Sequence, residues 1–440
     1  MNIKRDFYLD QLVKSIGNGM IKIITGPRRS GKSYLLYPLF TDWLIAHDVP
    51  SERIFRIDLS DNFNADLRNP IRLSERLRQI LPKDGQVFLF LDEIQDCTSV
   101  FNPAFAGVKT ADGSTPLITF YDVLNGLLSS YPNVEVFVTG SNSHLLSSDI
   151  ATEFRGRGYP IAMHPLTYKE FVSAHEGEGD DLTLWQEYYL YGGLPQVSLI
   201  PDVPGKRSYL EKVFQTTYLR DIKDRYSLRG ETSIAKLTRY LASTFGSCIN
   251  PTKIANSLRS SENLKIIPQT ISTYIDHMKD AFLISEAERF HLRGKESLSG
   301  NSKYYFEDLG LRNAVTSFSD YDQEPHYIEN ILYNELVARG YKVCVGNVAD
   351  YYQENGKTKR TNYEIAFVAD RGGKRIYIQS ALYLPDEEKR EQERRPLLLV
   401  PSAFRKVIIT KVSGTGLYDK DGILSLNLFR FLKGEDTFGD

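Results

Sequence analysis

The stretch GPRRSGKS, residues 26–33, fits the template G-x-x-x-x-G-K-[ST] of a loop that cradles phosphates. Its surroundings supply the context that such a loop needs. IKIIT (21–25) is a short apolar, β-branched run ending at Gly26. SYLLYPLFTDWLIA (33–46) carries apolar residues at helical spacing. Gly26 and Gly31 permit backbone angles that turn N–H groups onto phosphate oxygens. Lys32 would reach the β and γ phosphates, and the Ser33 hydroxyl would ligate Mg²⁺. A helix starting near Lys32 would add its positive dipole end. Pro27, Ser30 and Tyr34 complete the nucleotide-binding stretch 26–34, and Arg28 and Arg29 add positive charge beside the nucleotide or a neighbouring subunit.

Two further apolar runs end in polar residues suited to the same site. VFLFLDEIQD (87–96) reads as a buried parallel strand closing on Asp92-Glu93. Asp92 would hold Mg²⁺ through its water shell, and Glu93 would orient and deprotonate the attacking water. The competing reading is an acidic cap on the next helix. VEVFVTGSNSHLL (134–146) is another strand, ending in Thr139, Ser141 and Asn142. Asn142 is the candidate to touch the γ-phosphate or the water, against a plain strand-to-helix turn. In TEFRGRGYPIAMHPLTYKEF (152–171), Arg157 or Arg155 is a candidate arginine finger, in cis or across subunits, against a solvated loop arginine.

Composition bounds the rest. The chain has 440 residues, net charge −2, 41% hydrophobic and 25% charged residues, which fits several globular domains. That balance gives no whole-surface attraction to nucleic acid or anionic membrane, so such a partner would need a local basic face. Cys97, Cys248 and Cys344 lie far apart without a C-x-x-C pair, which argues against zinc and a disulfide framework. MNIKRDFYLD lacks an apolar signal core, and runs such as VFLFL fall short of the ~18 residues that span a membrane. A cytoplasmic protein without membrane partners is expected.

GPRRSGKS, the LDEIQ strand end, TGSNSHLL and FRGRGYPIAMHPLTYKEF together resemble the AAA-type ATPases of prokaryotes described as ATP-binding proteins. YYLYGGLPQV (188–197), YLRDIKDRY (218–226) and KYYFEDLGLRNA (303–314) extend the resemblance over nearly the whole chain. It implies ATP and Mg²⁺ as ligands, a RecA/AAA-like core, a helical segment, a winged helix and a C-terminal domain resembling restriction endonucleases. CTSVFNPAFAGVKTADGSTPL (97–117) departs from that pattern as a Gly/Pro/Ser-punctuated insertion, a surface loop by composition.

KRSYLEKVFQTTYLRDIKDRYSLR (206–229) carries seven basic and three acidic residues, and a solvated face outweighs a nucleic-acid face. SIAKLTRYLASTFG, NPTKIANSL (250–258) and PQTISTYIDHMKDAFLI (268–284) read as three helices. LISEAERFHLRGKESL (283–298) reads as a hairpin with Arg293-Gly294-Lys295 at its tip, completing a winged helix. Gln269, Thr270, Ser272, Thr273 and His277 would face a groove, although Asp276 and Asp280 oppose phosphate. Contact with DNA and packing within the protein stand equal. In the tail, PHYIENILYNELVARGYKV (325–343), a helix and then a strand, and the strands NYEIAFVAD, KRIYIQSALYL and RKVIITK resemble the PD-(D/E)xK nuclease arrangement. Glu329 matches the helix position, but Ala366, after Glu364-Ile365, stands where the strand acid belongs, and the E-x-K segment reads Gln379-Ser380-Ala381. A site lacking that Asp, acid and lysine cannot hold Mg²⁺ well, so the domain is expected to be inactive as a nuclease.

The expected fold is therefore α/β: a RecA/AAA-like core with a parallel sheet over 1–160, a helical lid over 161–230, a winged helix over 231–298, and a nuclease-like α/β domain over 299–440. The expected function is an Mg²⁺-dependent ATPase acting on nucleic acid. The alternatives are a nucleotide-dependent signalling switch, or an ATP-gated nuclease inactivated at Ala366. A homo-oligomer fits the AAA-like core by analogy.

Overall fold

A computed structural model describes residues 3–105, 115–142, 153–225, 231–291, 301–318, 323–354, 356–400, 403–412 and 416–438. The chain divides into two compact units, Lys4–His164 and Pro165–Asp440 with Met1–Ile3.

In the first unit, five strands form one parallel sheet in the order β2-β3-β6-β1-β7. They are β1 (Ile21–Thr25), β2 (Ile54–Asp58), β3 (Val87–Asp92), β6 (Val134–Gly140) and β7 (Gly158–Ala162). The short pair β4 (Val100–Phe101) and β5 (Leu117–Ile118) clips the ends of the 97–117 insertion together. Burial on both faces explains the near-continuous apolar runs of β1, β3 and β6. Leu89, Leu91, Val136 and Val138 face one core with Leu73, Leu77, Leu124 and Leu127. Phe88, Phe90 and Phe137 face the other with Tyr8, Leu36 and Phe40.

The helix after the glycine loop is not continuous. Lys32–Tyr34 is α-helical, but Tyr37 has φ −135° and ψ 117° before the helix resumes at Thr41–Ala46. Pro38 accounts for this, because its ring drives the preceding residue out of the α region and it lacks an N–H.

The second unit has one continuous core running from Tyr168 to Phe438. Helices Glu231–Ser243, Pro251–Glu262 and Pro268–Asp280 stand where the three-helix reading put them. Ile271, Ile275 and Met278 are buried, while Gln269 and Thr273 are exposed. The hairpin read over 283–298 is corrected. β8 (Ile284–Ala287) pairs with β10 (Lys303–Phe306), while β9 (Arg289–His291) leaves to pair with β11 (Lys342–Glu354). The reason is burial, since all four residues of β10 are buried against the core. Arg293, Gly294 and Lys295 lie outside the described residues. A six-stranded sheet follows in the order β15-β14-β13-β12-β11-β9, with β12 (Lys357–Arg371), β13 (Lys374–Ala381), β14 (Arg405–Thr410) and β15 (Ile423–Asn427).

The motifs YGGLP and EDLGLRN meet in this core. The buried Asp308 carboxylate accepts from the Gly193 and Leu311 amides at 2.7 and 2.9 Å. A Cβ on Gly192 would stand 2.3 Å from the Asp308 carboxylate, so no side chain fits there. Asn313 donates to the Tyr189 and Leu190 carbonyls, and buried Arg312 donates to the Ala242 carbonyl.

Candidate active site

The parallel sheet places its functional residues by a simple rule. Side chains and loops at the carboxyl ends of β1, β3 and β6 open onto one edge. Thr25 leads into the 26–34 loop, β3 ends at Asp92, and β6 ends at Gly140. Gly26 is obligatory here, since a Cβ would sit 1.9 Å from the Met163 carbonyl oxygen. Gly31 adopts φ 96°. Buried Lys32 donates its ammonium to the Gly26 and Pro27 carbonyls at 3.0 and 2.9 Å. Burial pulls its pKa down, and the nearby Glu93 and Asp92 carboxylates oppose that pull. Pro27 and Ser30 are buried, Arg28 and Ser33 half-buried, and Arg29 and Tyr34 exposed.

Asp92 is buried, which raises its carboxyl pKa, while hydrogen bonds from Thr139 and Ser33 lower it. The Thr139 hydroxyl donates to Asp92 and also accepts the Glu93 amide at 3.0 Å. Glu93 takes φ 54°, a left-handed conformation uncommon outside glycine. Such strain persists where the surroundings over-determine it and clusters at functional sites. Those surroundings are visible. Ser141 donates to the Glu93 carboxylate at 3.1 Å, Gln95 donates to it as well, and the Ser141 amide donates to Gln95 at 3.3 Å. Lys32, Ser33, Asp92 and Glu93 are thus brought together. Asn142 follows Ser141 at the strand end, half-buried. Sequence reasoning missed Gln95 as the residue that holds Glu93; its position two residues past Glu93, in a stretch otherwise closing a strand, was the available signal.

Arg157 is placed away from this group. Its carbonyl accepts the Ile21 amide at 2.8 Å, at the start of β1, and its guanidinium reaches Ser129 at 3.3 Å. A five-residue strand at ~3.3 Å per residue separates that edge from the loop by roughly 16 Å. The cis form of the arginine-finger expectation is therefore corrected for Arg157, while Arg155 is exposed two residues earlier. Only a partner subunit's site remains open to Arg157.

The donor set fits an Mg²⁺-polyphosphate. The Ser33 hydroxyl and Asp92 carboxylate are hydrogen-bonded to each other, as a pair sharing one metal ion would be, and two acids face one lysine. The Ser30 hydroxyl is fully buried with no hydrogen-bond partner among the described residues. Asp92 and Ser33 would hold the ion.

The second unit holds the residues expected to form a nuclease-like site. Glu329 and Glu364 do meet, but at an internal cation. The Lys303 ammonium lies 2.8 Å from Glu329 and 2.6 Å from Glu364. Tyr305 donates to Glu329 at 2.5 Å, and the Cys248 thiol lies 3.4 Å from Glu364. Burial draws the Lys303 pKa down, but the two glutamates outweigh it and hold it above the ordinary lysine range. A lysine is thus present, contrary to the sequence reading, but it comes from β10 rather than an E-x-K strand. Gln379 does not join this group. It accepts the Ala366 amide and donates to Glu393, both at 2.9 Å. Among the described residues, no cluster of three or more His, Cys, Asp or Glu side chains suits a metal ion. No described helix is long and apolar enough to cross a membrane.

Comparison with known proteins agrees with the geometry. A family profile described as an AAA domain matches residues 18–172, and one described as a domain of unknown function matches 182–322. An uncharacterized protein of Haemophilus influenzae is 30% identical over 412 residues, covering 93% of both chains. An uncharacterized protein of Methanocaldococcus jannaschii is 30% identical over 395 residues, covering 87% of this chain and 78% of its own. Among solved structures, a Walker-type ATPase of Pyrococcus abyssi matches with TM-score 0.46 and 14% identity, over 72% of this chain and 96% of that one. ORC1 of Aeropyrum pernix, solved in complex with DNA, matches with TM-score 0.33 and 12% identity, over 72% and 93%. From its full-length relatives and its AAA-domain match, the chain belongs to a family of AAA-type P-loop ATPases.

Proposed function

We propose that the chain is an Mg²⁺-dependent ATP hydrolase whose cycle drives a rearrangement of its C-terminal unit on nucleic acid. The carrying observation is Glu93, held by Gln95 and Ser141 next to the Asp92–Ser33 pair. A carboxylate fixed there is suited to orient a water and take its proton. Bound Mg²⁺ would neutralise charge on the phosphates as the transferred group departs. Lys32 would leave the Gly26 and Pro27 carbonyls for phosphate oxygens. Asn142 would contact the γ-phosphate side, and Arg157 would serve a neighbouring copy in an oligomer. ATP turnover tests this. Lys32→Ala is expected to abolish binding, and Glu93→Gln to retain binding while turnover falls about 10²–10⁴-fold. Normal hydrolysis by either variant contradicts the assignment.

In this reading, helices Glu231–Ser243, Pro251–Glu262 and Pro268–Asp280 with the β8–β10 pair act as a winged helix, and the sheet that follows as a cytoplasmic nuclease-like domain that does not cut. Its position for a metal is filled by the Lys303 ammonium. One observation favours the alternative of a nucleotide-dependent switch. Several basic side chains that a nucleic-acid face could use are paired within the chain: Lys206 with Glu187, Lys389 with Glu393, Arg394 with Asp419 and Asp421, and Arg395 with Asp350.

A further inference from the structure

Strands β11 and β12 run far past their neighbours. Their ladder continues from Lys342↔Asp370 out to Glu354↔Lys357. Among the described residues, β13 pairs with β12 only from Phe367 onward, and β9 pairs with β11 only at Val345–Asn347. Residues 348–354 and 357–363 therefore form a two-stranded ribbon, roughly 20 Å long at ~3.3 Å per residue. Its outer part, Tyr351–Glu354 with Gly356–Arg360, is exposed throughout. A lone hairpin without a covering layer is marginal in water, so such an arm needs a role outside the fold.

The ladder register sorts the arm into two faces. Residues directly opposite share a face, and successive residues alternate. One face carries Tyr351 opposite Arg360, Gln353 opposite Thr358, and Ala349 opposite Asn362. From Ala349 outward it has no carboxylate. The other face carries both acids of the arm, and each is matched to a cation: Glu354 to Lys359 and Asp350 to Arg395. Lys357 adds a further positive charge at the tip. Tyr351 is 56% exposed, with the Arg360 guanidinium 5.8 Å from its ring centroid.

We propose that this ribbon enters the major groove of duplex DNA, with Arg360, Gln353 and Asn362 toward base edges and Lys357 at the tip toward a phosphate. The chemistry fits on three counts. A groove ~12 Å wide admits a two-stranded ribbon. Guanidinium and amide groups are the side chains that pair bidentately with guanine and adenine edges. The acid-free face and cationic tip suit a polyanion. The narrow major groove of duplex RNA would exclude the arm. The proposal rests on the nucleic-acid part of the function proposed above.

Fluorescence anisotropy of the full chain with a labelled random-sequence DNA duplex of about two helical turns tests it. The comparison is wild type, Lys357→Ala and Tyr351→Ala/Arg360→Ala, with basal ATP turnover and circular dichroism as fold controls. Each lost phosphate contact is expected to weaken binding roughly tenfold near ~0.1 M salt and to reduce the salt slope by about 1. Tyr351→Ala/Arg360→Ala is expected to weaken binding at least as much, with turnover and dichroism unchanged. If wild type binds the duplex and both variants bind equally well, the arm is overturned while the nucleic-acid reading stands. If wild type binds no duplex at any salt, that reading fails and takes the arm with it. Tighter binding of single strands or duplex RNA, lost in the same variants, overturns the groove assignment.

Discussion

Replacing Lys303 with Met in the buried group of the second unit would leave Glu329 and Glu364 facing each other without the cation between them. Lys303 is almost fully buried, and the Glu329 side chain is 14% exposed. Breaking a buried ion pair by removing one partner costs about 3–5 kcal/mol. Glu364 is 40% exposed, so water compensates much of its share. The low end, about 3 kcal/mol, follows, which for a unit of this size lowers Tm by roughly 6–12 °C. The pH sign follows from the direction of the shift. Lys303 titrates above the ordinary lysine range in the folded state, so its contribution is complete below the unfolded lysine value and is lost only as pH rises beyond it. At pH 7 the whole effect is therefore expected. Adding Glu329→Gln should recover part of the loss. The assay is thermal and urea unfolding of the four combinations at pH 7. A Lys303→Met Tm equal to wild type, or no recovery from Glu329→Gln, refutes the reasoning.

Other outcomes follow from single contacts. Gln95→Ala and Ser141→Ala should each lower ATP turnover about tenfold or more with little change in nucleotide affinity, since they release Glu93 without touching the loop. Gly26→Ala should destabilise the first unit and abolish nucleotide binding, read by nucleotide-dependent Tm, because the new Cβ meets the Met163 carbonyl. Burial raises the Asp308 pKa from 3.8 to about 6, against backbone hydrogen bonds that lower it. The folded state then holds more protons than the unfolded one between those values, so stability should fall as pH rises from about 4 to 6, by up to about 3 kcal/mol. Asp308→Asn should flatten that slope in urea titrations.

The first unit was the more legible in sequence because its signals are local. A strand buried on both faces is an unbroken apolar run, so β1, β3 and β6 could be read directly, and the glycine loop has fixed spacing. The reading failed where pairing partners lie far apart in sequence. β8 pairs with β10, where KYYF buries all four residues. The Lys303 ammonium joins acids from a helix and a strand 26 and 61 residues away, and no motif spacing encodes such a meeting. β12 begins at Lys357, ahead of the apolar segment first read as a strand, because KTKRTN is too polar to show burial and follows only its partner's ladder. Arg157 was a sensible candidate by residue type, but the direction of β7 sets it at the opposite sheet edge.

The most direct test of the central claim is steady-state ATP hydrolysis by the purified chain, alone and with duplex DNA, at two salt concentrations, with Glu93→Gln as the control. The expected result is Mg²⁺-dependent turnover that duplex DNA stimulates, that salt weakens, and that Glu93→Gln loses. Turnover that Glu93→Gln retains, or that is indifferent to DNA at both salt concentrations, would contradict the account.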